Sequence, residues 1–228
     1  YKPHLKTMWC IPPKQNADFV AHMEDVLEVY SRPYDERRPV ICMDEKPFQL
    51  LDEMFTPIPM SESNHNKKYD CEYVRKGSCS IFMFTEPLGQ WREAHALPHR
   101  TGEDWAKQMK WLIDEAYSDA EKIVLVMDNL NTHTPASFYK VFSPEEAFRL
   151  AQKLEIHYTP KHGSWLDIAE IELSSMTNQC LLGERIPSAE QLNEILSFWS
   201  LEMCTIPSLP GAYSTNAPIG MILVTVPS

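Results

Sequence analysis

Residues 123–128 read IVLVMD, five apolar side chains in a row followed by a carboxylate. A run that is apolar on both faces is typical of a strand in the centre of a sheet covered by helices. Residues 39–44 read PVICMD and repeat this pattern on a smaller scale. Open α/β sheets place their chemistry at the carboxyl ends of strands, so Asp44 and Asp128 are the first candidates for a functional site.

The rest of the chain alternates between strand and helix patterns. Strands are also predicted over 78–85 and 91–97, with a turn at 87–90, and over 156–159, while the polar stretch 56–77 favours a long loop. Apolar spacing predicts helices over 17–30, 101–117, 143–154 and 164–182, and from 188 onward. Three helix starts carry capping residues: Thr101 with Asp104, Ser143 before Pro144, and Ser188 with Gln191. The order predicts an α/β fold, a mixed five-stranded sheet flanked by helices.

Composition limits the class of protein. The chain has 228 residues, 43% of them hydrophobic, which suffices for one domain with a buried core. The apolar run 221–226 is too short to cross a bilayer, and no basic-then-apolar leader opens the chain. Its six cysteines include no C-x-x-C pair, which argues against structural zinc and for reduced thiols in a cytosolic protein. The net charge of −11 counts against a simple nucleic-acid binder, since affinity for phosphate comes largely from Lys and Arg.

A third carboxylate, Glu170, falls in the helix predicted over 164–182. On a helix of about 3.6 residues per turn, Glu170 lies at the edge of the core-facing stripe and Glu172 points to solvent. A half-buried carboxylate needs a partner, a metal or a proton. The alternatives are that Glu170 pairs with Lys161 or Arg185, and that the two aspartates are merely polar strand ends.

Three converging carboxylates with no cysteine nearby favour a hard cation, Mg²⁺ or Mn²⁺, over zinc. Two such ions about 4 Å apart can activate the attacking oxygen and stabilise the leaving oxygen in phosphodiester cleavage. Asp and Glu suit this chemistry because their charges neutralise both ions. The residues therefore predict a two-metal site that acts on a phosphodiester.

Three strings resemble the catalytic signatures of DDE transposases and occur in the family's order: VICMDEK at 40–46, MDNLNTH at 127–133 and HYTPKHGSWL at 157–166. The nearest branch is the bacterial insertion-sequence group allied to the mariner superfamily, over about residues 1–200. The resemblance implies a ribonuclease-H-like fold and two divalent ions, with Asp44, Asp128 and Glu170 as catalytic residues and metal ligands. It also implies a double-stranded DNA partner. On this resemblance, the full-length protein is expected to act as a homodimer in the bacterial cytoplasm, at the nucleoid, where it would cleave transposon ends and join them to target DNA.

The resemblance also suggests a division of the chain: a linker with one helix over 1–39, a catalytic domain over 40–200 and an atypical tail over 201–228. Full-length relatives carry an N-terminal helix-turn-helix region, for which nothing before residue 40 has room. The basic residues of such a protein would lie mainly in its DNA-reading segment, so a net charge of −11 for the present chain does not exclude a DNA-binding protein. Asp167 stands where the family usually has Asn, and either disturbs the metal site or serves the N-terminus of its helix.

Several side chains near these motifs are candidates for supporting roles. Basic residues that could contact DNA phosphates are Lys46, Lys67, Lys68, Arg75, Lys76, Lys161 and His162. Those between 56 and 77 fit equally well a solvated loop in which Asp70 and Glu72 are their partners. His133 is expected to orient a ligand or cap its loop, and Trp165 to pack rather than to stack on a base.

Two other functions fit the same residues. The fold and its carboxylates could serve another two-metal nuclease, such as one that cuts RNA–DNA hybrids. The unusual tail and the absence of an end-reading region instead favour an inactive remnant that only binds DNA or a partner chain.

Overall fold

The protein's computed structural model describes residues 17–56, 71–130, 133–161 and 163–205, and it contains the expected mixed five-stranded sheet. The strand order is β3-β2-β1-β4-β5, in which β1 and β2, and β2 and β3, are antiparallel, while β4 is parallel to both β1 and β5. The bounds of the strands are β1 Val40–Glu53, β2 Tyr73–Glu86, β3 Trp91–Leu97, β4 Ile123–Met127 and β5 Leu154–Tyr158.

The predicted helices are confirmed within a few residues at their ends, and the structure adds a short one that the sequence pattern did not predict, α3 Phe138–Val141. The bounds of the predicted helices are α1 Ala17–Ser31, α2 Gly102–Trp111, α4 Pro144–Lys153, α5 Ile168–Met176 and α6 Ala189–Thr205. Single π-helical turns prolong α2 and α5, and 3₁₀ turns precede α3 and α5. The expected caps form, since Thr101 and Asp104 make a reciprocal capping box and the hydroxyls of Ser143 and Ser188 accept backbone N–H groups.

The sheet has a core on each face. Because side chains alternate along a strand, Cys42 and Leu50 of β1 face one core, and Ile41 and Met43 face the other. Helices α1, α5 and α6 cover the first side, called here the α5 face, and α2, α3 and α4 cover the second, the α2 face. Strand β4 is buried at every position, as its apolar run predicts. Each fully buried Leu, Ile or Phe contributes about 1.5–3 kcal/mol, so these two cores fix the sheet between its helices.

Strands β1 and β2 are longer than the sequence suggests. Strand β1 does not end at Met43 but continues to Glu53, and β2 begins at Tyr73 rather than at 78. Pairing with β4 stops at Met43, so the later part of β1 is an edge strand, which tolerates Pro47 and exposed polar side chains. The later part of β1 and the first part of β2, which pairs with it, are called here the β1–β2 arm. This arm lacks the apolar run that marks a buried strand.

The prediction of a loop over 56–77 is therefore wrong for 73–77, and Arg75 and Lys76 belong to β2. The stretches 1–16, 57–70 and 206–228 lie outside the described residues, and so do Lys67, Lys68 and His162. None of the helices in the described ranges is both long and apolar enough to cross a membrane.

Candidate active site

Asp44 and Asp128 lie next to each other on neighbouring strands. The last paired residues of the parallel strands β1 and β4 are Met43 and Met127, and the two aspartates come directly after them. Neighbouring strands are about 4.8 Å apart. Met43 and Met127 belong to the core of the α2 face, so Asp44 projects to the α5 face. Asp128 follows its strand, as predicted, whereas Asp44 stands within β1 at the point where the parallel pairing ends.

Glu170 is brought to the same face by α5. Its helix starts at Asp167, whose side chain accepts the N–H of Ala169 at 2.9 Å. Leu173 and Met176 of this helix are buried against the sheet, and Glu170 is half-buried beside them. Asp44 and Glu170 line one cleft of about 330 Å³, together with Glu45, Lys46, Leu173, Ser174, Thr177 and Asn178.

Asp44 and Asp128 lie in an environment that opposes their ionisation. Burial raises the pKa of Asp44 to about 7, and the charges of Asp128, Glu170 and Glu45 add to this, against one N–H donated by the Glu45 backbone. Burial also raises the pKa of Asp128, with contributions from Glu45 and Glu170, while His133 and Arg100 act in the opposite direction. Within the described part of the chain, neither Asp44 nor Glu170 forms a salt bridge. A cation placed here would relieve this repulsion.

The alternative partners for Glu170 are not used. Arg185 forms a salt bridge with Glu53 instead, and Lys161 is exposed in the turn before α5. The helix places Glu170 as predicted, at the edge of its buried face.

The donor set fits a hard divalent ion, because it consists of carboxylate oxygens, and among the described residues neither Asp44 nor Glu170 forms a salt bridge with a cation. Yet across residues 17–56, 71–130, 133–161 and 163–205, no three His, Cys, Asp or Glu side chains are grouped so that they could hold one metal ion. The structure thus assembles the carboxylates at one edge of the sheet without closing them around a single point.

Comparison with known families decides the class of protein. A family model described as DDE superfamily endonuclease matches residues 39–193, which is more than half of the chain. The chain belongs to the DDE endonuclease superfamily. No curated protein matches its sequence.

Similarity to solved structures shows which fold the DDE domain has. A crystal structure of the Mos1 mariner paired end complex with Mn covers 89% of this chain at 15% identity, with a TM-score of 0.56. The Mos1 strand transfer complex and a pre-cleavage Mos1 transpososome each cover 88% of it, at 12% and 14% identity and TM-scores of 0.56 and 0.55. The fold is therefore ribonuclease-H-like, as expected. The chain spans about three fifths of the length of these transposase chains, 62%, 58% and 60% respectively.

Glu172 of the DDE domain is not exposed, and its predicted orientation is wrong. It is buried, and its carboxylate accepts a hydrogen bond from Arg92 at 2.8 Å. The reason is that α5 is covered on a second side, where β3 and α6 supply Arg92 and Trp199. A helical projection with one apolar stripe does not reveal a second packing surface.

Asp167 of the DDE domain serves the N-terminus of α5, as one of the two expectations held. Its Oδ1 is the capping oxygen, while its Oδ2 is buried without a hydrogen-bond partner among the described residues. Burial, and then the nearby charge of Asp44, raise the pKa of Asp167 well above its usual value. The residue therefore adds a fourth acidic group to the repulsion at the site.

Replacing Asp167 by Asn is expected to stabilise the metal-free protein, and more so at pH 8 than at pH 5. Because the folded-state pKa is raised, the folded protein keeps this proton to a higher pH than the unfolded chain does, so stability falls as pH rises between the two pKa values. Asn keeps the capping oxygen and carries no charge. We expect a gain of about 1–3 kcal/mol at pH 8, because the buried carboxylate charge and its repulsion from Asp44 are removed.

Urea unfolding in EDTA at both pH values measures this gain, with Asp119→Asn at an exposed position as control. An equal gain at pH 5 and pH 8 would contradict the assignment of the effect to the Asp167 charge.

The basic residues of the DDE domain separate into two groups. Lys46 lines the cleft and donates to the hydroxyl of Thr177 at 2.6 Å. Lys161 lies in the turn before α5. Arg75 and Lys76 lie far along the β1–β2 arm, where Lys76 pairs with Asp52 at 3.0 Å, so this pair is distant from the carboxylates.

Sequence reasoning missed Arg100, which is exposed just before the capping residue of α2 and is near enough to lower the pKa of Asp128. Its place between a strand end and a helix cap was the available signal. Trp165, expected to pack, is exposed, because residues 164–166 form a 3₁₀ turn instead of the first turn of α5.

His133 and Glu45 form a buried contact beside the site. Nε2 of His133 lies 2.7 Å from Oε1 of Glu45, and its Nδ1 lies 3.9 Å from Oδ1 of Asp128. The sequence placed His133 close to Asp128, which follows from their spacing in the chain. It did not predict the contact with Glu45, because nothing in the sequence around Glu45 indicates that its carboxylate is buried.

Proposed function

We propose that this chain is the catalytic domain of a DDE transposase, which cleaves DNA at transposon ends and transfers the cut strands to target DNA. The observation that carries this proposal is the meeting of Asp44, Asp128 and Glu170 at one sheet edge, where burial and the neighbouring negative charges oppose the ionisation of Asp44. In support, the Mos1 mariner transposase was solved as paired end complexes with Mn and with Mg, and as a strand transfer complex.

Asp44, Asp128 and Glu170 would hold two Mg²⁺ or Mn²⁺ ions. Such ions neutralise charge on the attacking and leaving oxygens of a phosphodiester. The protein would contribute the negative charge of these three carboxylates, and β1, β4 and α5 would hold them in position.

DNA would lie across the cleft, with Lys46, Lys161 and Arg100 contacting its phosphates. His162 and the basic residues at 67 and 68 belong to the same proposal, and Arg75 and Lys76 would meet DNA only beyond the cleft. With a net charge of −11, binding depends on these few cations, and weakens as salt rises. We further propose that the substrate is double-stranded, and that the full-length protein acts as a homodimer on the nucleoid of a bacterial cell carrying the insertion sequence.

The test uses the whole chain with a duplex carrying the inverted repeat that flanks its gene, and with an RNA–DNA hybrid of the same length. In millimolar Mn²⁺ we expect nicking at the repeat and joining to a supercoiled plasmid, and neither in EDTA. Degradation of the hybrid with intact repeats would assign another two-metal nuclease. A chain that neither cuts DNA nor binds Mn²⁺ would be an inactive remnant.

Metal affinity should depend on pH through Asp44. Below its pKa of about 7, an incoming ion has to displace a proton, so the association constant for Mn²⁺ should fall by up to about tenfold for each pH unit below 7 and level off above it. Isothermal titration calorimetry from about pH 5.5 to 8.5 measures this slope and the proton released. In Asp44→Asn the remaining binding should lose this dependence, and a flat wild-type profile would exclude Asp44 as the titrating ligand.

A further inference from the structure

Behind the cleft, on the α2 face of the sheet, lies a buried pair that the proposed mechanism does not use. Glu45 follows Asp44 in β1, so its side chain projects to the opposite face. Its side chain is 3% exposed, and that of His133, 2.7 Å away, is 1% exposed. Burying two ionisable groups is costly, and such a pair is weak evidence for stability. The function of this pair is therefore sought in its effect on a neighbouring residue.

An aromatic ring stacks on the face of the His133 imidazole. Trp105 of α2 stacks on it, with ring centroids 5.8 Å apart and an interplanar angle of 15°, and Phe138 stacks on Trp105 in turn. The ring therefore has a fixed plane, with Nε2 at Glu45 and Nδ1 toward Asp128. Although the Glu45 contact is short, its angle is not that of a regular hydrogen bond, and both ring nitrogens remain without a regular partner among the described residues.

Asp128 needs such support, because it stands beyond the end of β4 and its side chain is partly exposed. No described side chain or backbone group forms a hydrogen bond with its carboxylate. Nδ1 of His133 lies 3.9 Å from Oδ1 of Asp128, about 1 Å beyond a charge-assisted hydrogen bond. Carboxylates that bind metals are usually oriented by hydrogen bonds from outside the ligand shell.

We infer that His133, held by Glu45 and Trp105, is a positioning residue that orients the Asp128 carboxylate for metal binding. The ring is fixed by the α2 layer, so a small movement of Asp128 completes the hydrogen bond when the carboxylate turns toward an ion. This inference rests on the proposed function, in which Asp128 is a metal ligand.

Two amide variants separate orientation from packing. The amide nitrogen of Asn superposes on Nδ1 of a histidine ring, and that of Gln superposes on Nε2. His133→Asn therefore keeps a donor toward Asp128 and loses the one toward Glu45, whereas His133→Gln does the reverse. We expect His133→Gln to weaken Mn²⁺ binding by about 10- to 100-fold, the usual cost of removing an outer-shell partner, and His133→Asn to retain most of the affinity.

Calorimetric titration of the full chain with Mn²⁺ measures these affinities, and thermal melts in EDTA verify that each variant is folded. His95→Gln is the matched control, because His95 also contacts the α2 layer, through Gln108 at 2.6 Å, but lies on β3 away from Asp128. It should bind Mn²⁺ like the wild type. Glu45→Gln keeps the size of the side chain and tests the other end of the pair, with a smaller expected loss.

The outcomes are distinct. If the wild type binds Mn²⁺ and folded His133→Gln and Glu45→Gln bind it equally well, the positioning role is wrong while the proposed metal site stands. A greater loss in His133→Asn than in His133→Gln would also overturn it, since only packing against Glu45 would then matter. If the wild type does not bind Mn²⁺ at all, the proposed function fails first.

Discussion

Asp44→Asn, Asp128→Asn and Glu170→Gln are each expected to lower DNA cleavage by at least about a thousandfold. Metal ions contribute several kcal/mol to transition-state stabilisation, and about 4 kcal/mol corresponds to a factor of a thousand in rate. The amides are nearly isosteric, so the fold should persist. Because Asp44 and Asp128 have raised pKa values, removing one charge should leave the metal-free protein as stable as the wild type, or more so.

Single-turnover nicking in Mn²⁺ and urea unfolding in EDTA measure the two effects on the same preparations. Asp119→Asn and Glu115→Gln, at exposed positions, serve as charge-matched controls and should retain full activity. Full cleavage by any one of the three active-site variants would remove that residue from the mechanism. Lost activity together with a large loss of stability would indicate a structural role instead.

The buried part of the sheet could be predicted from the sequence because its signals are local. The run over 123–127 is apolar at every position and forms β4, which is buried throughout. Likewise, the capping residues at Thr101 and Ser143 lie within three residues of the groups they bind. The same local reasoning located the two aspartates, since each interrupts an apolar run at the level where the parallel strands stop pairing.

What the sequence could not show depends on partners distant in the chain. The β1–β2 arm is stabilised by pairing with a strand that begins twenty residues later, and its side chains are too mixed to form an apolar pattern. Glu172 is buried by elements some eighty residues before it and about twenty after it. The contact of Glu45 with His133 joins β1 to the loop after β4, across the sheet edge. Charged residues whose burial depends on such partners are the ones that a helical projection misplaces.

Arg92→Met is expected to lower the free energy of unfolding by about 3–5 kcal/mol, because it removes one member of a buried ion pair. Nη1 of Arg92 lies 2.8 Å from Oε2 of Glu172, and the two side chains are only 14% and 6% exposed. The guanidinium also lies 5.7 Å from the centre of the Trp199 ring, so one side chain joins β3, α5 and α6. Loss of the pair should also reach the active site, since α5 carries Glu170.

Urea unfolding of Arg92→Met, Glu172→Leu and the double variant measures this coupling. The double variant should regain most of the loss, because two apolar side chains in a buried position can replace an ion pair. Arg149→Met is the matched control: Arg149 contacts both Asp114 and Glu146, but its side chain is 42% exposed, so its loss should cost no more than about 1 kcal/mol. Equal losses of stability in Arg92→Met and Arg149→Met would contradict the prediction. They would show that the buried ion pair of Arg92 with Glu172 is no stronger than the exposed ion pairs of Arg149.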